Sequence, residues 1–149
     1  MTPEEERALG VELFNRAWAL MDKGERTADE DAEMLHSAHA SAYHWAQVGT
    51  PANRARSDWQ CSRIYAVLAW AEPALHYARR CLELVEANPG DMDEFDLPAA
   101  YEALARAHMV AGDAAETRRW AELGRAATAT IGDEHDRRIM EADFATIRT

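Results

Sequence analysis

The sequence predicts an all-α protein: a stack of helical hairpins, about seven helices in all, closed by a C-terminal capping helix. Three observations point there. Apolar residues recur at helical rather than alternating spacing in every long segment. Helix starts and stops are marked at regular points by Thr-Pro, Gly-Thr-Pro and Gly-Asp steps. The turns at Gly24, Ala69 and Gly112, and the breaks at Gly49, Pro89 and Gly132, form two series that both step by roughly 40 to 45 residues, within the range of helical repeats.

The first helix opens at Thr2-Pro3-Glu4-Glu5, where Thr2 caps, Pro3 suits the first helical position and the glutamates meet the positive end of the dipole. Leu9, Leu13, Phe14, Ala17, Trp18, Leu20 and Met21 form its stripe until Lys23-Gly24. Thr27 and Glu30 have capping-box spacing, and the run that follows to Val48 contains neither proline nor glycine. In this second helix Met34, Leu35, Ala38, Ala42, Trp45 and Ala46 share one face. Glu33, His36, His39, Tyr43, His44 and Gln47 take the other, so three histidines lie on one polar side.

Gly49-Thr50-Pro51 ends the second helix and starts the third, which is apolar on two sides. Cys61, Ile64, Tyr65 and Leu68 make one side, and Trp59, Ala66 and Trp70 the other, with Arg56 and Arg63 among them. A helix with two such sides is an inner helix. Pro73 lies in the first turn of a fourth helix with Ala74, Leu75, Ala78, Cys81, Leu82 and Val85 inward, ending at Asn88-Pro89-Gly90. The acidic stretch DMDEFDL then reads as the longest break and as a mobile loop, with Phe95 able to pin it. Helix five is expected from about Pro98 to Ala111 and helix six from Asp113 to about Ile131. Gly132-Asp133 opens a last helix bearing Ile139, Met140, Phe144 and Ile147. The expected organisation is a single domain with hairpins at about 3–48, 51–88 and 97–131 and a capping helix at about 133–147.

A chain of 149 residues can bury roughly 70% of the surface its unfolded form exposes, so no staple is needed. The two cysteines, Cys61 and Cys81, fall on apolar faces and read as buried thiols in a reduced setting. Acidic residues at the start exclude a secretory signal, and no segment has the apolar length of a membrane span, so a cytoplasmic location is expected. The formal net charge of −11 argues against nucleic acid and against anionic membrane as partners.

Within the two later hairpins the residues resemble the tetratricopeptide repeat. Cys61, Tyr65, Ala69, Ala74, Ala78, Cys81 and Leu82 stand at its small and bulky positions in one unit, and Tyr101, Leu104, Ala105, His108, Gly112, Ala121 and Gly124 in the next. Small residues there let the two helices of a hairpin approach while bulky ones fill the gap to the following hairpin. The resemblance covers about the last two thirds. The first tryptophan and the closing proline of that repeat are missing, and the period exceeds the usual ~34 residues.

This resemblance implies a right-handed stack whose first helices line a concave groove. It places Arg56, Trp59 and Arg63, then Glu102, Arg106 and Met109, at the ligand-facing positions. Arginines on neighbouring helices can fork onto a carboxylate beside the flat wall of Trp59. The expected partner is therefore a protein or peptide with acidic groups or a C-terminal carboxylate. The competing expectation is that these arginines pair internally with Asp58, Glu102 or other carboxylates.

His36 and His39 stand one turn apart with Glu33 and Tyr43 a turn to either side, a ligand-capable row; His76 and His108 are the other candidates for completing a metal set. Trp18, Trp45 and Trp120 read as packing, whereas Trp59 and Trp70 are candidates for a ligand surface. Phosphate loops, nucleophile elbows and paired zinc-type cysteines are absent, and no cofactor motif stands out. The function expected is a non-catalytic binding scaffold with a partly basic, Trp-containing concave groove. The alternative is a small-molecule or metal-binding helical protein, an enzyme included, whose pocket joins His36, His39 and Tyr43 to Trp59, Arg63 and Glu102. Homodimerisation through an edge hairpin is left open by the sequence.

Overall fold

A computed structural model describes residues 1–149 and contains helices only. They are α1 (Pro3–Met21), α2 (Ala28–Val48), α3 (Pro51–Val67), α4 (Ala71–Ala87), α5 (Asp96–Val110), α6 (Ala114–Thr128) and α7 (Glu134–Ala145), with one short 3₁₀ turn at Pro89–Asp91. None is long and apolar enough to cross a membrane.

Local chemistry accounts for most of the starts. Thr2, Thr27 and Thr50 each cap with the hydroxyl accepting from the third residue of the helix, and each in return donates its backbone N–H to the side-chain oxygen of Glu5, Glu30 or Asn53. Asp113 and Asp133 cap α6 and α7 in the same way, accepting from Glu116 N and Asp136 N. α3 and α5 both end in a left-handed residue, Ala69 (φ 62°) and Gly112 (φ 79°). Behind these, Trp70 N reaches back to Tyr65 O and Asp113 N to His108 O, closing both helices with the same motif.

α1 and α2, α3 and α4, and α5 and α6 form hairpins, and each first helix also packs on the previous hairpin. The core is divided accordingly. Ala17, Leu20, Met34, Ala38, Cys61 and Ile64 join hairpin one to α3. Ala66, Ala74, Ala78, Ala103, Leu104 and Ala107 join hairpin two to α5. Ala105, Ala121, Ile131, Met140, Phe144 and Ile147 seat α7 on hairpin three. Serial clusters of this kind, rather than one central core, define a stack of hairpins. Close approach rests on small residues: a Cβ added to Gly124 would lie 2.1 Å from Phe144 Cζ, and one on Gly10 would lie 2.8 Å from the Trp45 ring.

Three expectations change. Helix five begins at Asp96 rather than Pro98, and the acidic segment before it is held rather than loose. Arg56 reaches across from α3 to bond Asp93 and Asp96, and its guanidinium stacks 4.8 Å from the Phe95 ring centroid. The carboxylates that make this segment look solvated in sequence are the groups that tie it down. Helix six also stops at Thr128, short of Ile131, where Thr130 N and Ile131 N turn back onto Ala127 O and Thr128 O in a tighter final turn.

Candidate functional site

The odd-numbered helices line one side of the stack, and a cavity of about 200 Å³ opens among them. Its walls are Phe14 and Trp18 from α1, Trp59 from α3, Phe95 before α5, and Ile139 and Met140 from α7, over a floor of Cys81 and Val85. Trp18 packs on Trp59 with centroids 5.5 Å apart and ring planes tilted by 34°, and Phe14 meets Trp18 edge-on at 6.5 Å. The polar groups at its edge are Arg56, Asp96 and Asp143. Ile139 is 47% exposed, an uncovered apolar side chain at the mouth.

Beside this cavity the three predicted arginines are all in ion pairs. Glu102, with no solvent exposure, accepts from Trp59 Nε1 at 3.3 Å, Arg63 Nη1 at 3.0 Å and Arg106 Nε at 2.6 Å. Arg63 also lies 3.8 Å from Asp143. Arg106 donates to Asp143 O and Thr146 Oγ1, capping the carboxyl end of α7, where Arg125 likewise reaches Phe144 O. Burial pushes the Asp143 carboxyl up, with Glu102 adding to this and Arg63 and Arg106 opposing it. Arg56 is held firmly ionised, chiefly by its hydrogen bonds to Asp96.

Three guanidinia thus face four carboxylates, Asp93, Asp96, Glu102 and Asp143, and the groove carries no surplus of positive charge. Internal pairing, the competing expectation, describes Arg63 and Arg106. It also describes Arg56, which bonds buried Asp96, but there the second partner, Asp93, is 70% exposed. Met109 sits beyond Arg106, where its sulfur accepts from Arg148 N at 3.2 Å under the C-terminal residues. The structure therefore brings Arg56, Trp59, Arg63, Glu102 and Arg106 together as the sequence places them, with Arg63, Glu102 and Arg106 forming the support beneath the surface.

The histidines do not share a face. His36 is exposed. His39 turns inward, its Nε2 2.8 Å from Tyr65 Oη and its ring against Tyr65 and Tyr77. His44 pairs with Glu6 of α1 at 2.6 Å. Burial, and then the nearby His36, lowers the basicity of His39. No three His, Cys, Asp or Glu side chains come together as a metal set anywhere in the chain, so the row of His36 and His39 lacks a third ligand. Tyr43, 64% exposed, faces a separate cleft formed by α2, α3 and α4, so the composite pocket joining it to Trp59, Arg63 and Glu102 is not assembled. Trp70 is 53% exposed and stacks on Tyr65 at the tip of hairpin two, away from the cavity. Cys61 and Cys81 are both buried and unpaired, and burial pushes the Cys61 thiol up to about 12, which leaves it an inert core group.

Sequence reasoning missed Phe14, Ile139, Asp96 and Asp143 as members of the site and took Trp18 for packing. The available signal was Ile139, an apolar side chain on α7 beyond those needed to seat that helix. Comparison with family models, with curated proteins and with solved structures finds no match for the chain.

Proposed function

We propose that the protein is a non-catalytic binding scaffold, of tetratricopeptide-like design, whose concave side receives a segment of another protein. The observation that carries this is the apolar cavity between Trp18, Trp59, Phe95 and Ile139, open on the side lined by α1, α3, α5 and α7. It has room for one bulky apolar side chain, and the walls are mutually packed rings that lose little freedom on binding.

The expected carboxylate contact narrows to Arg56. A partner carboxylate can replace the exposed Asp93 on Nη2 while the buried Asp96 keeps the guanidinium aimed. Arg63 and Arg106 are tied to Glu102 and hold Trp59 in place. The partner best matched is a peptide ending in an apolar residue with a free C-terminal carboxylate. A multiply acidic one meets the repulsion of the −11 chain.

A C-terminal peptide display library, followed by titration of the selected peptide and its amidated form, tests this. Enrichment of terminal Leu, Ile or Phe is expected, with about tenfold weaker binding of the amide and of Arg56→Met. No enrichment, or selected peptides that bind Trp59→Ala and Ile139→Glu as tightly as wild type, removes the proposal.

A further inference from the structure

The opposite side of the stack carries a second feature, independent of the concave groove. Between α2, α3 and α4 lies an open cleft of about 340 Å³. Its base is the α3 face bearing Arg54 and, one turn on, Asp58; its walls are Tyr43 of α2 and Tyr77 and Arg80 of α4.

The Asp58 side chain is only 9% exposed, and its Oδ2 has no hydrogen-bond partner, the sole such buried side-chain atom in the protein. Arg80 Nε forms an ion pair with it at 3.4 Å, at an angle poor for a hydrogen bond. A buried acceptor left without a donor is costly, and native proteins seldom keep one without use. Burial raises the Asp58 carboxyl, against the pull of Arg80 and His76.

The next hairpin makes the feature specific. A second cleft lies between α4, α5 and α6 about one turn further along, with Leu104 and His108 on its α5 side and Arg79, Glu83 and Glu116 around it. Measured back from the two left-handed residues Ala69 and Gly112, the position of Asp58 is taken there by Tyr101, which stacks on Trp120. The third hairpin thus packs an aromatic where the second carries a buried carboxylate.

The surrounding chemistry selects the ligand. A simple cation is disfavoured by Arg54 and Arg80, and a simple anion leaves Oδ2 without a donor. A molecule carrying both an ammonium and a carboxylate complements both the acid and the two guanidinia. We propose that this cleft binds a small zwitterion of the α-amino acid class, its ammonium pairing with the Asp58 carboxylate and its carboxylate lying between Arg54 and Arg80. Tyr43 and Tyr77 flank an apolar side chain.

The full chain titrated with L-phenylalanine and L-leucine by calorimetry, with amide chemical shifts as a map, provides the test. Saturable binding that perturbs residues 54–58 and 76–80 is expected for at least one of the two. N-acetyl-L-phenylalanine and L-phenylalaninamide, each lacking one charge, should bind at least about tenfold more weakly. So should Asp58→Asn and Arg54→Met, both checked for a native circular dichroism spectrum, while Arg138→Gln on the exposed side of α7 leaves the affinity unchanged. Absence of binding by both amino acids, equal binding of the acetylated or amidated form, or unaltered affinity in folded Asp58→Asn each overturns the assignment.

Discussion

Arg63 on α3 and Glu102 on α5 meet at 3.0 Å between Nη1 and Oε1, with the carboxylate entirely out of solvent. The same carboxylate takes Trp59 Nε1 and Arg106 Nε, so one buried charge fixes the wall of the concave cavity to its neighbours. Removing the acid strands two part-buried guanidinia, whereas removing one arginine leaves the other in place. Glu102→Ala is expected to lose about 3 kcal/mol in urea unfolding, and Arg63→Met about half as much. A loss from Glu102→Ala below about 1 kcal/mol would show that solvent, not protein, balances these charges.

Gly124 and Phe144 define how α7 seats. Because a methyl group at Gly124 would overlap the Phe144 ring, Gly124→Ala should be destabilising by about 1–3 kcal/mol despite the better helix propensity of alanine. Phe144→Ala opens a cavity in a core where that ring is 2% exposed and should lose about 3–5 kcal/mol. Combining Gly124→Ala with Phe144→Leu should lose less than the sum of the two single changes, since the smaller side chain relieves the overlap. Amide exchange of residues 134–147 reads whether the loss is confined to α7; uniform loss across all helices would contradict the serial core.

The helices and their hairpin order were legible because their signals are local: threonine and aspartate caps, prolines in first turns, and a stripe period that one segment reveals by itself. Ala69 and Gly112 were legible as matching turns for the same reason. What was not legible is pairing across distance. Arg56 with Asp96, and Arg106 with the end of α7, join residues that no spacing rule connects. Arg56, Trp59 and Arg63 do share one side of α3, but Trp70 leaves it to stack on Tyr65, and the arginine charge is already matched by Asp96, Glu102 and Asp143. The acidic run around Phe95 looked loose because its counter-charge is on another helix. His39 was assigned to a polar face by angle, but α3 and α4 pack over that part of α2 and supply Tyr65 and Tyr77 to cover it.

Ala69 and Gly112 close equivalent helices in the same left-handed conformation, one with a Cβ and one without. The Cβ is strained at positive φ, so Ala69→Gly should stabilise the protein by about 0.5–1 kcal/mol even though glycine adds freedom to the unfolded chain. Gly112→Ala should do the reverse by about 1 kcal/mol. Thermal unfolding of the two variants side by side checks both; a loss on Ala69→Gly would mean that packing of the methyl group outweighs backbone strain.

Asp58 and His39 face one cleft from α3 and α2, and burial moves their ionisation in opposite senses. The folded protein holds the Asp58 proton more tightly than the unfolded chain does, because desolvation outweighs the opposing fields of Arg80 and His76. Its ionised form therefore lowers stability, a penalty absent in acid that grows as pH rises from the ordinary value of 3.8 through the raised folded one. His39, against Tyr65, Tyr77 and Cys61 and near His36, holds its proton more weakly than in the unfolded chain. That contribution is full above the ordinary value of 6.5 and is lost as pH falls from there through the lowered folded value. Asp58→Asn should then exceed wild type by on the order of 1 kcal/mol at neutral pH, with the difference shrinking below the ordinary carboxylate range. His39→Gln should flatten the decline that wild type shows in mild acid. Because every other titrating group is common to both proteins of each pair, urea midpoints measured across pH and subtracted isolate the two groups. A gain from Asp58→Asn that persists unchanged in acid would assign it to packing of the amide rather than to loss of the buried charge.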